Sequence, residues 1–153
     1  MRSLELRIPP PIFAALIALA MWPLSTTLPK VFVATQVRVA TAIAIALVGG
    51  AFSIAGALAF RRAKTTVSPL RPERTSSLVT RGVYRITRNP MYVGLLLGLL
   101  AWAAGLSSPV SLAGPVAFIM FINRFQIEPE EKALLAKFGP EYETYKSTVR
   151  RWL

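Results

Sequence analysis

The paired carboxylates Glu130 and Glu131 are the residues of this chain whose types and spacing most suggest chemistry. All seven acidic residues are glutamates, and the sequence contains no Cys, His or Asp. This inventory excludes disulfides, cysteine-based zinc sites, Ser-His-Asp triads and Cys-His nucleophilic pairs, and we expect no metal site. Proton transfer would have to use Glu, Tyr, Lys, Arg or water, which makes the glutamate pair the first candidate.

A second group of candidates lies in the stretch RNPMYVG, from Arg88 to Gly94. Pro90 suits the first turn of a helix and Asn89 suits its N-cap. Free backbone N–H groups in such a turn attract a carboxylate or a phosphate. Aromatic rings and carboxylates nearby would hold a cationic centre, so the set as a whole favours a zwitterionic ligand. Taken singly, each feature is also explained by an ordinary helix start, interfacial aromatics or lipid-facing charges.

Long apolar runs must position these residues. The chain is 54% hydrophobic and 16% charged, whereas soluble domains carry about 25% charged residues. The composition therefore predicts an all-α integral membrane protein with about four transmembrane helices and a single membrane-embedded domain. The last two helices are expected to form a tight hairpin, with Gly105 ending one and Pro109 starting the next. The predicted apolar runs cover residues 12–28, 37–60, 90–106 and 109–125.

The charge distribution predicts the organisation of the chain. The net charge of +11 is concentrated between the apolar runs, which indicates contact with anionic membrane lipids and not with nucleic acid. By the positive-inside rule both termini and the long basic loop are cytoplasmic, in a membrane that we predict to be the bacterial inner membrane. The first run has no small-x-small cleavage site after it, so we expect a retained helix and not a signal peptide. The predicted segments are two N-terminal helices (1–62), a basic cytoplasmic loop (63–89), a helical hairpin (90–127) and C-terminal cytoplasmic helices (128–153).

The C-terminal segment carries an apolar stripe at helical spacing. Gly139 and Pro140 are expected to divide it into two short amphipathic helices, with Gly closing the first and Pro opening the second. Such a segment can return beneath the membrane helices and cap a pocket on the cytoplasmic side.

Two ordered motifs, GVYxxxRNPMYxG and EExxLxxxFGxxYxxYxxxVxRW, extend over about half of the chain, from Ser76 to Trp152. They resemble the isoprenylcysteine carboxyl methyltransferase family in its bacterial form, and more loosely the phospholipid N-methyltransferases. The resemblance implies a membrane methyltransferase that uses S-adenosyl-L-methionine at a cytoplasm-facing pocket. Its acceptor would be a carboxylate, thiol or amine of a lipophilic small molecule.

The resemblance also implies which residues form the site. Arg88, Glu130 and Glu131 are the candidate catalytic residues. At the position where the family has a substrate-contacting arginine this chain has Gln126, with Arg124 two residues away, and these two are the candidate substrate contacts. The implied cofactor contacts are Ser76, Ser77, Leu78, Val79, Tyr84, Asn89, Pro90, Met91, Tyr92 and Glu130.

Two other functions remain open at the level of sequence. The same C-terminal architecture resembles membrane reductases of the sterol reductase type, which use NADPH and whose phosphates the basic loop could bind. A member of the family without catalytic activity could instead be a lipid-binding membrane protein. The sequence does not determine the identity of the acceptor or the oligomeric state.

Overall fold

The computed structural model describes residues 5–63 and 77–153, and all regular structure in these two ranges is helical. The all-α prediction is thus confirmed for the described residues. Short 3₁₀ turns precede α3 and α4, and a π-helix joins α4 to α5. The helices are α1 (Pro10–Leu24), α2 (Thr35–Arg62), α3 (Pro90–Leu106), α4 (Ala113–Ile122), α5 (Glu128–Phe138) and α6 (Pro140–Thr148), the 3₁₀ turns are Gly82–Arg85 and Pro109–Leu112, and the π-helix is Asn123–Ile127.

Within the described ranges, two helical stretches are long and apolar enough to cross a membrane, Thr35–Arg62 and Pro109–Phe138. Helices α1 and α3 are apolar but shorter, with 15 and 17 residues. Large apolar side chains on α2, including Ile43, Leu47 and Ile54, are exposed. Because exposed apolar surface is unfavourable in water, these apolar helices indicate a membrane protein.

Helices α2 and α3 are antiparallel and approach closely through small residues. A Cβ on Gly94 would collide with Ser53 and with the backbone of Gly49, and a Cβ on Gly56 would lie 2.9 Å from Met91 Cγ. Residue numbers rise along α2 as they fall along α3, which establishes the antiparallel arrangement. Small residues that let helix backbones approach are typical of membrane helix pairs.

Helix α1 is antiparallel to α4 in turn. The Phe13 ring stacks on Phe121 with 3.8 Å between centroids, and Met21 packs against the position where Gly114 lacks a side chain. Helix α3 also contacts α1, since the Trp102 indole N–H donates to the Ala18 carbonyl at 2.9 Å. The helices therefore share two ends. We call the end with Leu24, Thr35 and Pro109 the hairpin end, and the end with Arg62, Pro90 and Phe125 the tail end.

The first helix ends earlier than the apolar run predicts, at Leu24 instead of residue 28. The Ser25 hydroxyl donates to the Trp22 carbonyl at 2.6 Å, and the Thr26 hydroxyl donates to the Pro23 carbonyl at 2.7 Å. Hydroxyls that satisfy the last carbonyls in this way end a helix at little cost.

In the hairpin the prediction for Gly105 is wrong, whereas Pro109 starts the next helical stretch as expected. Helix α3 continues to Leu106, and Ser107 takes the left-handed conformation that ends it, with a φ of 51°. The Ser107 carbonyl then accepts a hydrogen bond from the Val31 N–H at 2.8 Å, which ties the turn to the α1–α2 connection.

The chain stays helical from residue 109 to residue 138, so the expected segment boundary at 127/128 has no break in the helix. Pro129 has no N–H to give to the preceding turn. The Phe125 carbonyl, four residues earlier, instead accepts from the Leu6 N–H at 3.0 Å. The adjacent π-helix accommodates this irregularity. Gly139, with a φ of 51°, then ends α5 and Pro140 begins α6, as predicted.

Candidate active site

Tyr92 and Glu130 meet at the tail end, where the first turn of α3 faces the first turn of α5. The Tyr92 Oη donates to Glu130 Oε1 at 2.5 Å, and the ring of Tyr92 is buried. Within the described ranges, Glu130 Oε2 accepts no hydrogen bond. The fold thus joins the two sequence motifs through one hydrogen bond and leaves one carboxylate oxygen available.

Glu131 has a different environment, because both of its oxygens are engaged by arginines. Arg88 Nη2 donates to Oε1 at 2.8 Å, and Arg151 donates from Nη2 to Oε2 at 2.7 Å and from Nε to Oε1 at 3.2 Å. The side chains of Arg88 and Glu131 are only 10% and 11% exposed. Arg88 Nη1 also donates to the carbonyls of Lys146 and Val149, both at 2.8 Å. This Arg88–Glu131–Arg151 clamp fastens α5 and the end of α6 to the start of α3.

Asn89 occupies the N-cap position of α3, but its side chain makes no cap hydrogen bond, so the predicted capping is wrong. Its Nδ2 donates to the Arg151 carbonyl at 2.9 Å, and the Thr87 hydroxyl donates to the same carbonyl at 3.1 Å. In the part of the chain that the structure describes, the N–H groups of Met91 and Tyr92 consequently have no acceptor. Free N–H groups at a helix start favour an anionic group.

An aromatic cluster lies beside this pair, formed by Tyr84, Tyr142 and Tyr145. The Tyr145 hydroxyl donates to the Tyr84 carbonyl at 2.7 Å. The edge of the Phe60 ring from α2 meets the Tyr84 ring, with 5.5 Å between centroids. The cluster therefore joins α2, the turn before α3 and α6. Leu78 and Val79, two of the expected cofactor contacts, pack against it.

The environment of these tyrosines keeps their hydroxyls neutral. Burial, followed by the nearby Tyr145 and Glu130, raises the pKa of Tyr84 well above its ordinary value. Burial, together with the charge of Glu131, raises the pKa of Tyr142 to about 12. Burial also raises the pKa of Tyr145. A phenol with a raised pKa does not act as a base near neutral pH.

The remaining predicted residues have separate contacts. Pro90 is buried, and the Ser77 hydroxyl is 3.5 Å from the Ala63 carbonyl. Ser76 lies outside the described residues. Gln126 is fully buried and its Nε2 donates to the Ile8 carbonyl at 2.7 Å.

Arg124, the other candidate substrate contact, points to the protein surface. Its side chain is 48% exposed and pairs with Glu128 at 3.1 Å and with Glu5 at 3.7 Å. The contacts of Arg124 and Gln126 are thus with the N-terminal segment and α5, and their role toward a substrate stays a prediction.

Three residues that complete the site were absent from the sequence-based candidates: Gly56, Thr87 and Arg151. Arg151 belongs to the second motif, so its position there was a usable signal. Thr87 is fully buried and shares the Arg151 carbonyl with Asn89. A Cβ on Gly56 would stand 3.5 Å from the backbone N of Met91, so glycine keeps the first turn of α3 uncrowded. No local sequence pattern indicates these roles of Thr87 and Gly56.

Known proteins give an independent comparison. The sequence model of the phospholipid methyltransferase family matches residues 37–141, more than half of the chain. The chain belongs to the phospholipid methyltransferase family. That match confirms the resemblance and covers α2 through the start of α6, including both members of the Tyr92–Glu130 pair.

Individual relatives of this family member are consistent with that assignment. An uncharacterized protein of Haemophilus influenzae is 52% identical over 63 residues, which are 41% of this chain and all of that protein. A probable protein-S-isoprenylcysteine O-methyltransferase of Oryza sativa subsp. indica is 39% identical over 98 residues, 60% of this chain and 48% of the rice protein. Protein-S-isoprenylcysteine O-methyltransferase A of Arabidopsis thaliana is 34% identical over 106 residues, 67% of this chain and 52% of the plant protein.

The chain thus spans about half the length of the plant relatives that it matches. No solved structure gives a significant match. The family and the names of the relatives together support a methyltransferase enzyme.

Proposed function

We propose that this chain is a membrane methyltransferase that uses S-adenosyl-L-methionine and methylates a lipophilic small molecule at the cytoplasmic membrane face. The observation that carries the proposal is the Tyr92–Glu130 pair, which the fold assembles from both family motifs and which leaves Glu130 Oε2 without a hydrogen bond among the described residues. The names of the plant relatives suggest an S-isoprenylated cysteine carboxylate as the first acceptor to test.

The chemistry of the residues at the tail end fits the cofactor. S-adenosylmethionine carries both cationic and anionic groups, so its site needs acceptors, donors and apolar or aromatic surface. Glu130 Oε2 is an acceptor, and the free N–H groups of Met91 and Tyr92 are donors at a helix start. Tyr84, with Leu78 and Val79 packed on its cluster, supplies the aromatic and apolar surface. We therefore assign the cofactor to this end of the protein, with Ser76, Ser77, Asn89 and Pro90 as further contacts.

The cofactor supplies a methyl group on a sulfonium, which the acceptor attacks in line, so the protein mainly binds, orients and excludes water. A carboxylate or thiolate acceptor needs no base. An amine acceptor would need one, and Glu130 is the candidate, because the tyrosines of the cluster stay protonated and Glu131 uses both oxygens on arginines. In this proposal Arg88 and Glu131 are positioning residues that keep α3 and α5 in register.

The membrane arrangement that we propose has four spans. Helices α2 and 109–138 are long enough to cross a hydrocarbon core of about 30 Å. Helices α1 and α3 pack antiparallel to them and would complete the bundle with some local thinning of the bilayer. The segment between α2 and α3 begins after Arg61 and Arg62 and is rich in basic residues. By the positive-inside rule, the tail end, from which this segment extends, would face the cytoplasm. Residues 1–62, 63–89, 90–127 and 128–153 would then be parts of one membrane-embedded domain.

The test is a pair of calorimetric titrations of the detergent-purified protein, one with S-adenosylhomocysteine and one with NADPH. We expect S-adenosylhomocysteine to bind and NADPH not to bind. Binding of NADPH alone would replace the proposal with a reductase of the sterol reductase type. Binding of neither would favour a lipid-binding protein without catalysis.

Glu130→Gln tests the site itself. A hydrogen bond to a charged group contributes roughly 1.5–3 kcal/mol, so we expect affinity for S-adenosylhomocysteine to fall at least about tenfold. Glu128→Gln is the matched control, because it neutralises a carboxylate of the same helix that pairs with exposed Arg124. Equal affinities of the two variants would remove Glu130 from the site.

A further inference from the structure

The hairpin end holds a cavity of about 490 Å³ between α2, α3 and the start of the 109–138 helix. It lies at the opposite end of the bundle from the Tyr92–Glu130 pair. Its volume falls within the roughly 300–1,000 Å³ of small-molecule sites. Its wall is mainly apolar, with Ile45 from α2, Leu100 from α3 and Leu112 beyond the hairpin turn.

Among the described residues of this wall, Arg38 is the one that carries a charge. The residue is half-buried, and across the ranges 5–63 and 77–153 its guanidinium takes part in no hydrogen bond or ion pair. An arginine normally extends its stem along apolar surface and places its head where an anion or water can reach it. Since the wall as described contains no acidic residue, an anion that enters the cavity would meet Arg38 without a competing carboxylate.

Ser108 supplies a second, independent indication on the same wall. It is 4% exposed, and its buried Oγ has no hydrogen-bond partner in the described chain. Buried hydroxyls are almost always satisfied, so an unpartnered one in a cavity wall indicates a missing acceptor. Ser108 also precedes Pro109 at the start of the 30-residue helical stretch, where the helix dipole favours negative charge.

We propose that this cavity binds a phospholipid with an anionic headgroup, whose phosphate contacts Arg38 and Ser108 and whose acyl chain lies along Ile45, Leu100 and Leu112. The apolar wall favours a lipid over free phosphate, because phosphate alone would leave that surface unfilled. The exposed apolar residues beside the opening, among them Val31 and Phe32, would lie in the surrounding lipid. This lipid site is separate from methyl transfer and does not depend on it.

The experiment measures lipid retention by the delipidated, detergent-purified protein with native mass spectrometry. The probes are phosphatidylglycerol and uncharged diacylglycerol with the same acyl chains, and inorganic phosphate serves as competitor. We expect phosphatidylglycerol to bind at least about tenfold more tightly than diacylglycerol, since one charge-assisted contact is worth that factor. Equal binding of the two lipids would refute an anion site, and displacement by millimolar phosphate would identify a free-phosphate site instead.

Variants locate the bound lipid. Arg38→Gln should lower the affinity for phosphatidylglycerol about tenfold, whereas Lys30→Gln, an exposed cation at the same end but outside the wall, should leave it unchanged. Equal losses in both variants would mean nonspecific surface attraction and would overturn the proposal.

Two further variants keep the test independent of folding. Ser108→Ala removes no side-chain hydrogen bond that the described structure contains, so thermal stability should stay the same while headgroup affinity falls several-fold. Thr41→Phe places a ring at an exposed position of the wall and should hinder binding of the acyl chain. Unchanged retention in both variants would show that the lipid binds elsewhere.

Discussion

Glu131→Gln tests whether the clamp holds the tail to the bundle. The substitution preserves the size of the side chain but removes the charge that faces two arginines. Among the described residues, Arg88 then keeps the Lys146 and Val149 carbonyls as acceptors for its buried guanidinium, and the neutral amide oxygen of Gln takes the place of the carboxylate. Its Nε already lacks a partner in the described structure, so no spare acceptor is at hand.

The expected loss of unfolding free energy in Glu131→Gln follows from the burial of the ion pair. Removing one partner of a buried ion pair typically costs about 3–5 kcal/mol, because the other charge stays desolvated. That range applies to the Arg88 side, where both side chains are nearly buried. The Arg151 side adds little, because that side chain is 33% exposed and water replaces part of the lost contact. The amide oxygen of Gln keeps one weaker hydrogen bond, so we expect a net loss of about 2–4 kcal/mol.

The same helix provides the control. Glu128→Gln breaks the Arg124–Glu128 pair, whose side chains are 48% and 39% exposed. An exposed i,i+4 pair contributes about 0.3–0.5 kcal/mol, so this variant should be nearly as stable as the wild type. Both substitutions remove one carboxylate charge of α5, but Glu131 loses the nearly buried pair with Arg88 and a second pair with the partly exposed Arg151, whereas Glu128 loses one exposed pair.

The assay is reversible unfolding in mixed micelles with increasing SDS, followed by circular dichroism. Limited proteolysis of the C-terminal segment provides a second readout, because a released tail should be cleaved faster. If the free energies of unfolding of the two variants agree within about 0.5 kcal/mol, the clamp has the strength of a surface ion pair. The reasoning from burial would then be wrong.

Two further predictions concern other parts of the molecule. Gly94→Ala should destabilise the protein by about 1–3 kcal/mol in the same unfolding assay, because its Cβ meets Ser53. Gly98→Ala, whose Cβ meets nothing within 4 Å, should be neutral or slightly stabilising, and equal effects would refute the close contact of α2 with α3. In a spectrophotometric titration at 295 nm, Tyr142 should ionise near pH 12 in the folded protein and near pH 10 once unfolded. The neutral Tyr142 hydroxyl therefore contributes its full stabilisation below pH 10, and this contribution is lost as the pH rises through 12. Comparison with Tyr142→Phe assigns the signal, and ionisation near pH 10 in the folded protein would contradict the burial of Tyr142.

Much of the fold could be predicted from the sequence because bilayer and helix rules act on local composition. The apolar run 90–106 coincides with α3, and the Gly139–Pro140 break lies where the structure has it. The helix that passes through Pro129 could not be predicted in the same way. Its continuity depends on the π-helix and on a hydrogen bond from Leu6, a residue more than 100 positions away in sequence.

The candidate site shows the same division. Most of the residues of the site could be predicted from the two motifs, because their residue types and spacing resemble those of a known family. Their contacts could not, since Asn89 has the right residue type for a cap and still donates to the Arg151 carbonyl. A side chain with two possible acceptors chooses by tertiary geometry, which local sequence does not contain.

The glutamate pair illustrates why two adjacent carboxylates need not share one task. Consecutive residues of an α-helix point about 100° apart, so Glu130 and Glu131 face different neighbours. Glu131 faces Arg88 and Arg151, and Glu130 faces Tyr92. The charges of the two arginines are thereby satisfied by Glu131, which leaves Glu130 without a cation among the described residues. A carboxylate that is held in place but has no cation of its own is suited to a cationic ligand, which is why we assign the cofactor to Glu130 and the positioning of α3 and α5 to Glu131.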